Sequence, residues 1–382
     1  MINRLLQSAK QYTGPYYRNL RGWRTGRKII VFESDDWGNI RMPSKAVYEE
    51  SLRAGYRVDK NPYERYDGLA SEDDLELLYE LLTSVRDTAG RHPVLTANCL
   101  SANPDFDKIR ESGFREYHYE LITDTFRQYP KHARCFDLWK EGLEQGIFFP
   151  QCHGREHLNV SKYMSDLQSG CDDQHFGFSL KKPGMIPKSV ANGKNEYQEA
   201  ANYNSSEDKT EKLAIFLESL ELFERLFGYR SRSFIPPTYK WSPDFDKDFS
   251  DSGVRYYQGR AKMIEPGVDG VNRVHKYCLG QKNRYGQVYL IRNSSFEPTT
   301  DGVGGEDIVN RCLHDISAAF RLNKPAIIAT HRINFVGFID ESNRDKNLRS
   351  FQHLLHQIIK QWPGVEFMNS AELGNLISGA ND

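Results

Sequence analysis

Short apolar runs alternate with helix-period segments along the whole chain, and this alternation constrains the fold more than any other feature. Lys28-Ile29-Ile30-Val31-Phe32 predicts a first buried strand, and Ser44 is placed to cap a helix over 45–54. Ser71 with Asp74 predicts a capping box, opening a helix with Leu75, Leu78, Leu82 and Val85 on one face. A second strand follows over 93–98, a short helix over 106–111, and a longer helix over 134–145 that stops at Gly146. Residues 147–152 then form a strand that ends at His153. Strand and helix in strict alternation imply a parallel sheet or barrel with crossover helices.

Residues 170–206 interrupt the pattern and predict a long insertion or lid. The pattern resumes with an amphipathic helix over 207–227 and strands over 232–237, 253–257 and 287–292. A helix over 307–322, a buried strand over 325–331 ending in His331, a helix over 347–362, a strand over 365–368 and a short helix complete it. Residues 1–26 predict a lead-in helix and loop, and 27–382 one barrel domain.

Composition narrows the function classes. The 382 residues are 27% charged, and 51 basic residues balance 52 acidic ones along the chain, which argues against nucleic acid or an anionic membrane as partner. No apolar run is long enough to span a bilayer, and the first 27 residues lack the apolar core of a secretory signal. Six scattered cysteines without a CxxC read as free thiols in a reducing compartment. Together these predict a cytoplasmic protein.

Three predicted strands end in side chains that do chemistry: Asp35 and Asp36, His153, and His331. Parallel α/β architectures build their sites at such strand ends. His153 and His157 lie four apart, the spacing that puts two rings on one helical face and lets both reach one metal. One carboxylate would complete a two-histidine, one-aspartate site suited to Zn²⁺ or another divalent transition ion. Adjacent aspartates on a regular strand face opposite ways. At a strand-to-loop turn, however, one can ligate metal while its neighbour sits beside a water. Glu33 is a candidate supporting carboxylate, and Trp37 and Asn98 are candidate substrate contacts.

In this order, Ser34-Asp35-Asp36, the His153-x-x-x-His157 pair and the strand ending at His331 resemble the polysaccharide deacetylases, carbohydrate esterase family four with its NodB-homology domain. The resemblance covers roughly residues 28–370. It implies a distorted (β/α) barrel of about seven parallel strands. It also implies Asp35 as general base, Asp36, His153 and His157 as metal ligands, and His331 as general acid. The implied reaction is hydrolysis of an N-acetyl or O-acetyl group on a sugar. Departures are clear. Gly154 replaces the family's Ser or Thr, and Ala329 the leucine of its late motif. Ile235 stands where the family has the arginine that orients the base, leaving Arg155, Arg232 and Arg332 as candidates for that charge. No match to the family's Asp/Trp pocket motif is found between Arg255 and Glu297. Two alternatives therefore stand beside a metal-dependent deacetylase: a metal-dependent C–N hydrolase acting on a non-sugar amide, and a non-catalytic glycan-binding module.

Overall fold

The computed structural model describes residues 13–190, 193–302 and 305–380. The first part of the expected lead-in, 1–12, lies outside the described residues. Residues 13–26 lie on the domain: Arg18 pairs with Asp315 at 3.2 Å, and Lys324 Nζ donates to the carbonyls of Arg21, Gly22 and Trp23.

Nine strands form one sheet, every pairing parallel. They are β1 (Lys28–Trp37), β2 (Leu95–Leu100), β3 (Phe148–Gly154), β4 (Ser233–Phe234), β5 (Tyr256–Gly259), β6 (Val288–Ile291), β7 (Ser294–Ser295), β8 (Ala326–His331) and β9 (Val365–Phe367). Their order is β6-β5-β4-β3-β2-β1-β8-β7, with β9 beside the start of β1. The two ends of that row, β6 and β7, are separated in the chain only by Arg292 and Asn293. Eight strands laid flat would span about 34 Å at the ordinary strand spacing. Three peptide steps reach at most about 11 Å. The sheet must therefore curl until its edges meet. At the seam, Arg292 N–H donates to Gly259 on one side and Asn293 N–H to Ile327 on the other. The result is the distorted (β/α) barrel, with β4 and β7 each reduced to two residues.

Apolar side chains explain why the strands are buried. Ile30 and Phe32 of β1 pack in one cluster with Leu78, Phe148, Phe351 and Leu355, while Ile29 and Val31 face a second with Phe234, Tyr257 and Leu290. This two-sided burial is what a continuous apolar run in a parallel sheet requires. The helices over 45–54, 134–145 and 207–227 fall within a residue of their expected bounds, whereas the one expected over 347–362 starts earlier, at Glu341. The Ser71–Asp74 capping box opens Glu72–Thr83, and helix Ser206–Phe227 runs from the Ser205 cap to Gly228 at φ +76°.

Several expectations need correction. The predicted strand over 232–237 survives only as Ser233–Phe234, because Pro236 and Pro237 cannot donate to a ladder. Two antiparallel hairpins, Ala102–Pro104 with Tyr119–Leu121 and Lys262–Glu265 with Arg273–Lys276, lie outside the barrel and were not anticipated. The expected insertion over 170–206 contains helix Asp172–Ser179 and buries Met185, Tyr197 and Ala201, so its described residues pack on the domain. Among the described residues, no helix is long and apolar enough to cross a membrane.

Candidate metal and acid–base site

Because the strands are parallel, their C-terminal ends gather at one mouth of the barrel. The β1–β8 register sets Asp35 directly beside His331. The β1–β2 pairing slips between Ser34 and Trp37, and Asp36 takes φ +73°. This irregularity turns two neighbouring carboxylates toward one cavity, which a regular strand would not allow. Aspartate tolerates left-handed backbone better than most residues.

Asp36, His153 and His157 converge, with ligand atoms all within 4.8 Å of one another. Asp36 Oδ1 is 3.4 Å from His153 Nε2 and 3.5 Å from His157 Nε2. The His153 Nδ1–H donates to the Ile235 carbonyl at 2.8 Å, which leaves Nε2 facing Asp36. Burial, only partly offset by Asp36, holds His157 down to about 3, so its ring is neutral. Burial works against the charge of Asp36, but Arg41, bonded to its other oxygen, favours that charge, and its pKa lies well below the usual carboxylate range. One carboxylate oxygen and two imidazole nitrogens thus share a buried corner, and a divalent cation suits that donor set. The other oxygen of Asp36 accepts from Arg41, which also bonds Asp67; Asp67 in turn holds Arg332.

The histidine pair reaches this arrangement by a route other than the expected helix. His153 sits on β3, and His157 follows in an irregular turn. Gly154 makes the turn at φ +127°, a conformation that side-chain-bearing residues rarely adopt. This accounts for glycine where the resembled family has Ser or Thr.

Asp35 is held by an arginine that sequence reasoning missed. Arg292 donates through Nη1 and Nη2 to the two oxygens of Asp35, at 2.6 Å each, and through Nε to Glu33 at 2.6 Å. Glu33 also accepts from Ser370, and Asn98 donates to Asp35 at 2.7 Å. Burial opposes the charge of Asp35, but Arg292, His331 and His153 bring its pKa below the usual carboxylate range. The three arginines expected for this task are engaged elsewhere. Arg155 pairs with Glu156 and Glu218, Arg332 with Asp67, and exposed Arg232 bonds Asn375 at the other end of the sheet. Arg292 was legible in part, since it terminates the predicted strand over 287–292 just as His153 and His331 terminate theirs.

His331 Nδ1 bonds Glu297 at 2.5 Å, and its Nε2 lies 3.6 Å from Asp35. Burial disfavours the imidazolium, yet Glu297, Asp35 and Asp36 together push its pKa up to about 10. Asn334 holds the other oxygen of Glu297. Glu297 carried no motif signal. The two expected substrate contacts are not at the cavity surface. Trp37 is 1% exposed, bonds Ser34 and packs edge-on against Phe148, so neither face is free for a sugar. Asn98 is fully buried and acts on Asp35.

The cavity holds about 170 Å³ and is lined by Asp35, Asp36, Arg41, Tyr63, His153, His157, Gln198, Ile235, Thr238, Tyr239 and His331, among others. No family model matches the chain, and no curated protein matches it by sequence. Solved structures match by shape. A predicted glycoside hydrolase/deacetylase from Parabacteroides distasonis superposes at TM-score 0.51 and 9% identity, over 92% of this chain and 71% of that one. The chain has the polysaccharide-deacetylase fold. PuuE allantoinase matches at TM-score 0.48 and 12% identity, over 92% of this chain and 91% of its own. A predicted polysaccharide deacetylase from Mycobacterium smegmatis matches at 0.44 and 9%, over 94% and 93%. The chain spans 40% of the 4-α-glucanotransferase from Thermococcus litoralis that also matches, at TM-score 0.43, 11% identity and 91% of this chain.

Proposed function

We propose that this protein is a metal-dependent hydrolase that removes the acetyl group from an N-acetylated or O-acetylated sugar. One observation carries the reading: a base held by Arg292 and an acid held by Glu297 stand side by side, 3.6 Å apart, on the lining of a cavity that also contains the Asp36–His153–His157 set. A divalent cation on those three residues, Zn²⁺ by the donor chemistry, supplies a water of lowered pKa and a charge to polarise the acyl oxygen.

The chain's own groups do the rest. Asp35 is ionised at neutral pH and takes the proton from the attacking water. Arg292 and Asn98 fix its carboxylate, so it has one orientation relative to His331. His331 is protonated and delivers a proton to the departing nitrogen or oxygen. Arg41 occupies the oxygen of Asp36 that turns away from the histidines, leaving Oδ1 for the cation. The scattered, unpaired cysteines of the described residues fit a reducing, cytoplasmic setting.

The small cavity favours a second reading, hydrolysis of a small non-sugar amide. Acetate release from a panel of acetylated sugars, run beside ammonia and amine release from small amides, separates the two. Asp35→Asn must abolish turnover with metal content unchanged; a fully active variant overturns the assignment.

A further inference from the structure

The cavity over the three converging ligands is open on one side and walled on the others by chain segments bonded to one another. Its wall runs from Tyr63, in the short helix Pro62–Tyr66, through Gln198 to Thr238 and Tyr239. Glu64, beside Tyr63, forms an ion pair with Lys182 at 2.7 Å, and both side chains are fully buried. Asn195 donates to the other oxygen of Glu64, and Asn61 donates to the Gly193 carbonyl. On the far side, Glu199, next to Gln198, pairs with Lys240 at 2.7 Å, and Lys240 also bonds Asn202. Lys240 follows Thr238 and Tyr239, both in left-handed backbone. Tyr239 is tied inward, accepting from Arg292 at 3.0 Å, and Tyr63 packs edge-on against His331. Below the wall, Met42, Tyr56, Val58, Met185 and Ile339 form a buried apolar cluster that joins 42–58 to the 170–206 segment.

This wall resists opening. Separating Lys182 from Glu64 would strand a charge with no access to water, which is strongly unfavourable. The space inside, about 170 Å³, is below the roughly 300–1,000 Å³ of sites that swallow a drug-sized ligand. An internal unit of a polymer must leave its site in two directions, through an open-ended groove. A unit with one free end needs only one opening.

We infer that the site takes a single acylated unit, free or at a chain terminus, and excludes the internal units of a polysaccharide. The inference rests on the hydrolase reading above and restricts its substrate by size and end. Residues 170–206, through Gln198, Glu199 and Lys182, are the specificity-determining segment.

The test uses metal-loaded protein with N-acetylglucosamine, its β-1,4-linked tetramer and a long N-acetylated polymer of the same unit. Acetate is counted per chain, and calorimetry measures binding of the sugars to Asp35→Asn. The expected result is no more than one acetate per chain at any length, with monosaccharide and tetramer binding within about threefold of each other. Several acetates per tetramer, or affinity that rises about tenfold with chain length, would overturn the inference. Hydrolysis of small amides with neither binding nor cleavage of any sugar would overturn the sugar reading and still support the size limit. The Glu199→Gln/Lys240→Met double variant, which loosens the wall, is expected to gain cleavage of internal units. An intact size limit in a folded, active double variant would show that this pair does not set it.

Discussion

Arg292 grips both oxygens of Asp35, and it does so from the barrel seam, where the first and last strands of the row meet. Its third nitrogen holds Glu33, so one cation balances two buried carboxylates. Removing it leaves Asp35 with only Asn98 and the more distant His331, and Glu33 with only Ser370. Arg292→Ala is expected to cost about 3–5 kcal/mol of stability, read as a lower denaturation midpoint. Arg292→Lys keeps the charge and loses the two-pronged grip. It should fold, with Asp35 less firmly ionised. The acid limb of its kcat/KM profile is expected to move to higher pH, because the cation that lowers the Asp35 pKa is displaced. An unmoved limb would separate Asp35 from the base role.

Glu297 does for His331 what Arg292 does for Asp35, with the opposite sign. Its carboxylate helps raise the His331 pKa above the free value. Glu297→Gln removes the negative charge, so the imidazolium loses its proton at lower pH. If His331 is the acid, the basic limb of the rate profile shifts downward and the acid limb stays. The same sign governs stability. The raised pKa means that protonated His331 stabilises the fold fully below the free-histidine value, and that contribution is lost as pH climbs toward about 10. The stability difference between the protein and His331→Asn should therefore shrink between pH 7 and 10, as measured by urea unfolding.

The Asp36, His153 and His157 donor set predicts a linked stability gain. Zn²⁺ at about a hundred times its Kd is expected to raise the unfolding free energy by about 2.7 kcal/mol. Thermal unfolding with and without chelator reads it directly. Asp36→Ala and His157→Ala should abolish the gain, whereas His353→Ala, on the exposed face of helix Glu341–Gln361, should leave it intact.

The barrel was legible because buried parallel strands write themselves as apolar runs, and the residues that end those runs are the ones the mouth collects. Asp35, His153 and His331 were found by that rule alone. The sequence was silent where partners come from distant segments. Nothing local to Glu297 or Arg41 reports the side chain it meets, and Arg292 reaches Asp35 only because the sheet curls far enough to bring its two end strands close together. Trp37 could be read either as a sugar platform or as core, because aromatic residues beside a site look alike in sequence whether they pack or bind. The bulge at Asp35–Asp36 and the turn at Gly154 depend on backbone dihedrals that no residue pattern specifies.

Gly154 tests that last point. A Cβ at this position would meet Phe216 at 3.5 Å and Leu100 at 3.7 Å, ordinary contacts, so space does not forbid a side chain. The backbone does, because φ +127° is strained for any residue with a Cβ. Gly154→Ser restores the residue type of the resembled family and is expected to destabilise the fold by about 1–3 kcal/mol. Relaxing the strain would rotate the chain between His153 and His157 and spread their nitrogens. Zn²⁺ affinity should then fall about tenfold or more, within the range seen when support for ligands is lost. A competition titration against a chromogenic chelator measures it. Unchanged affinity in a folded Gly154→Ser variant would mean that the turn, and with it the geometry of the histidine pair, is set by the surrounding packing instead of by the glycine.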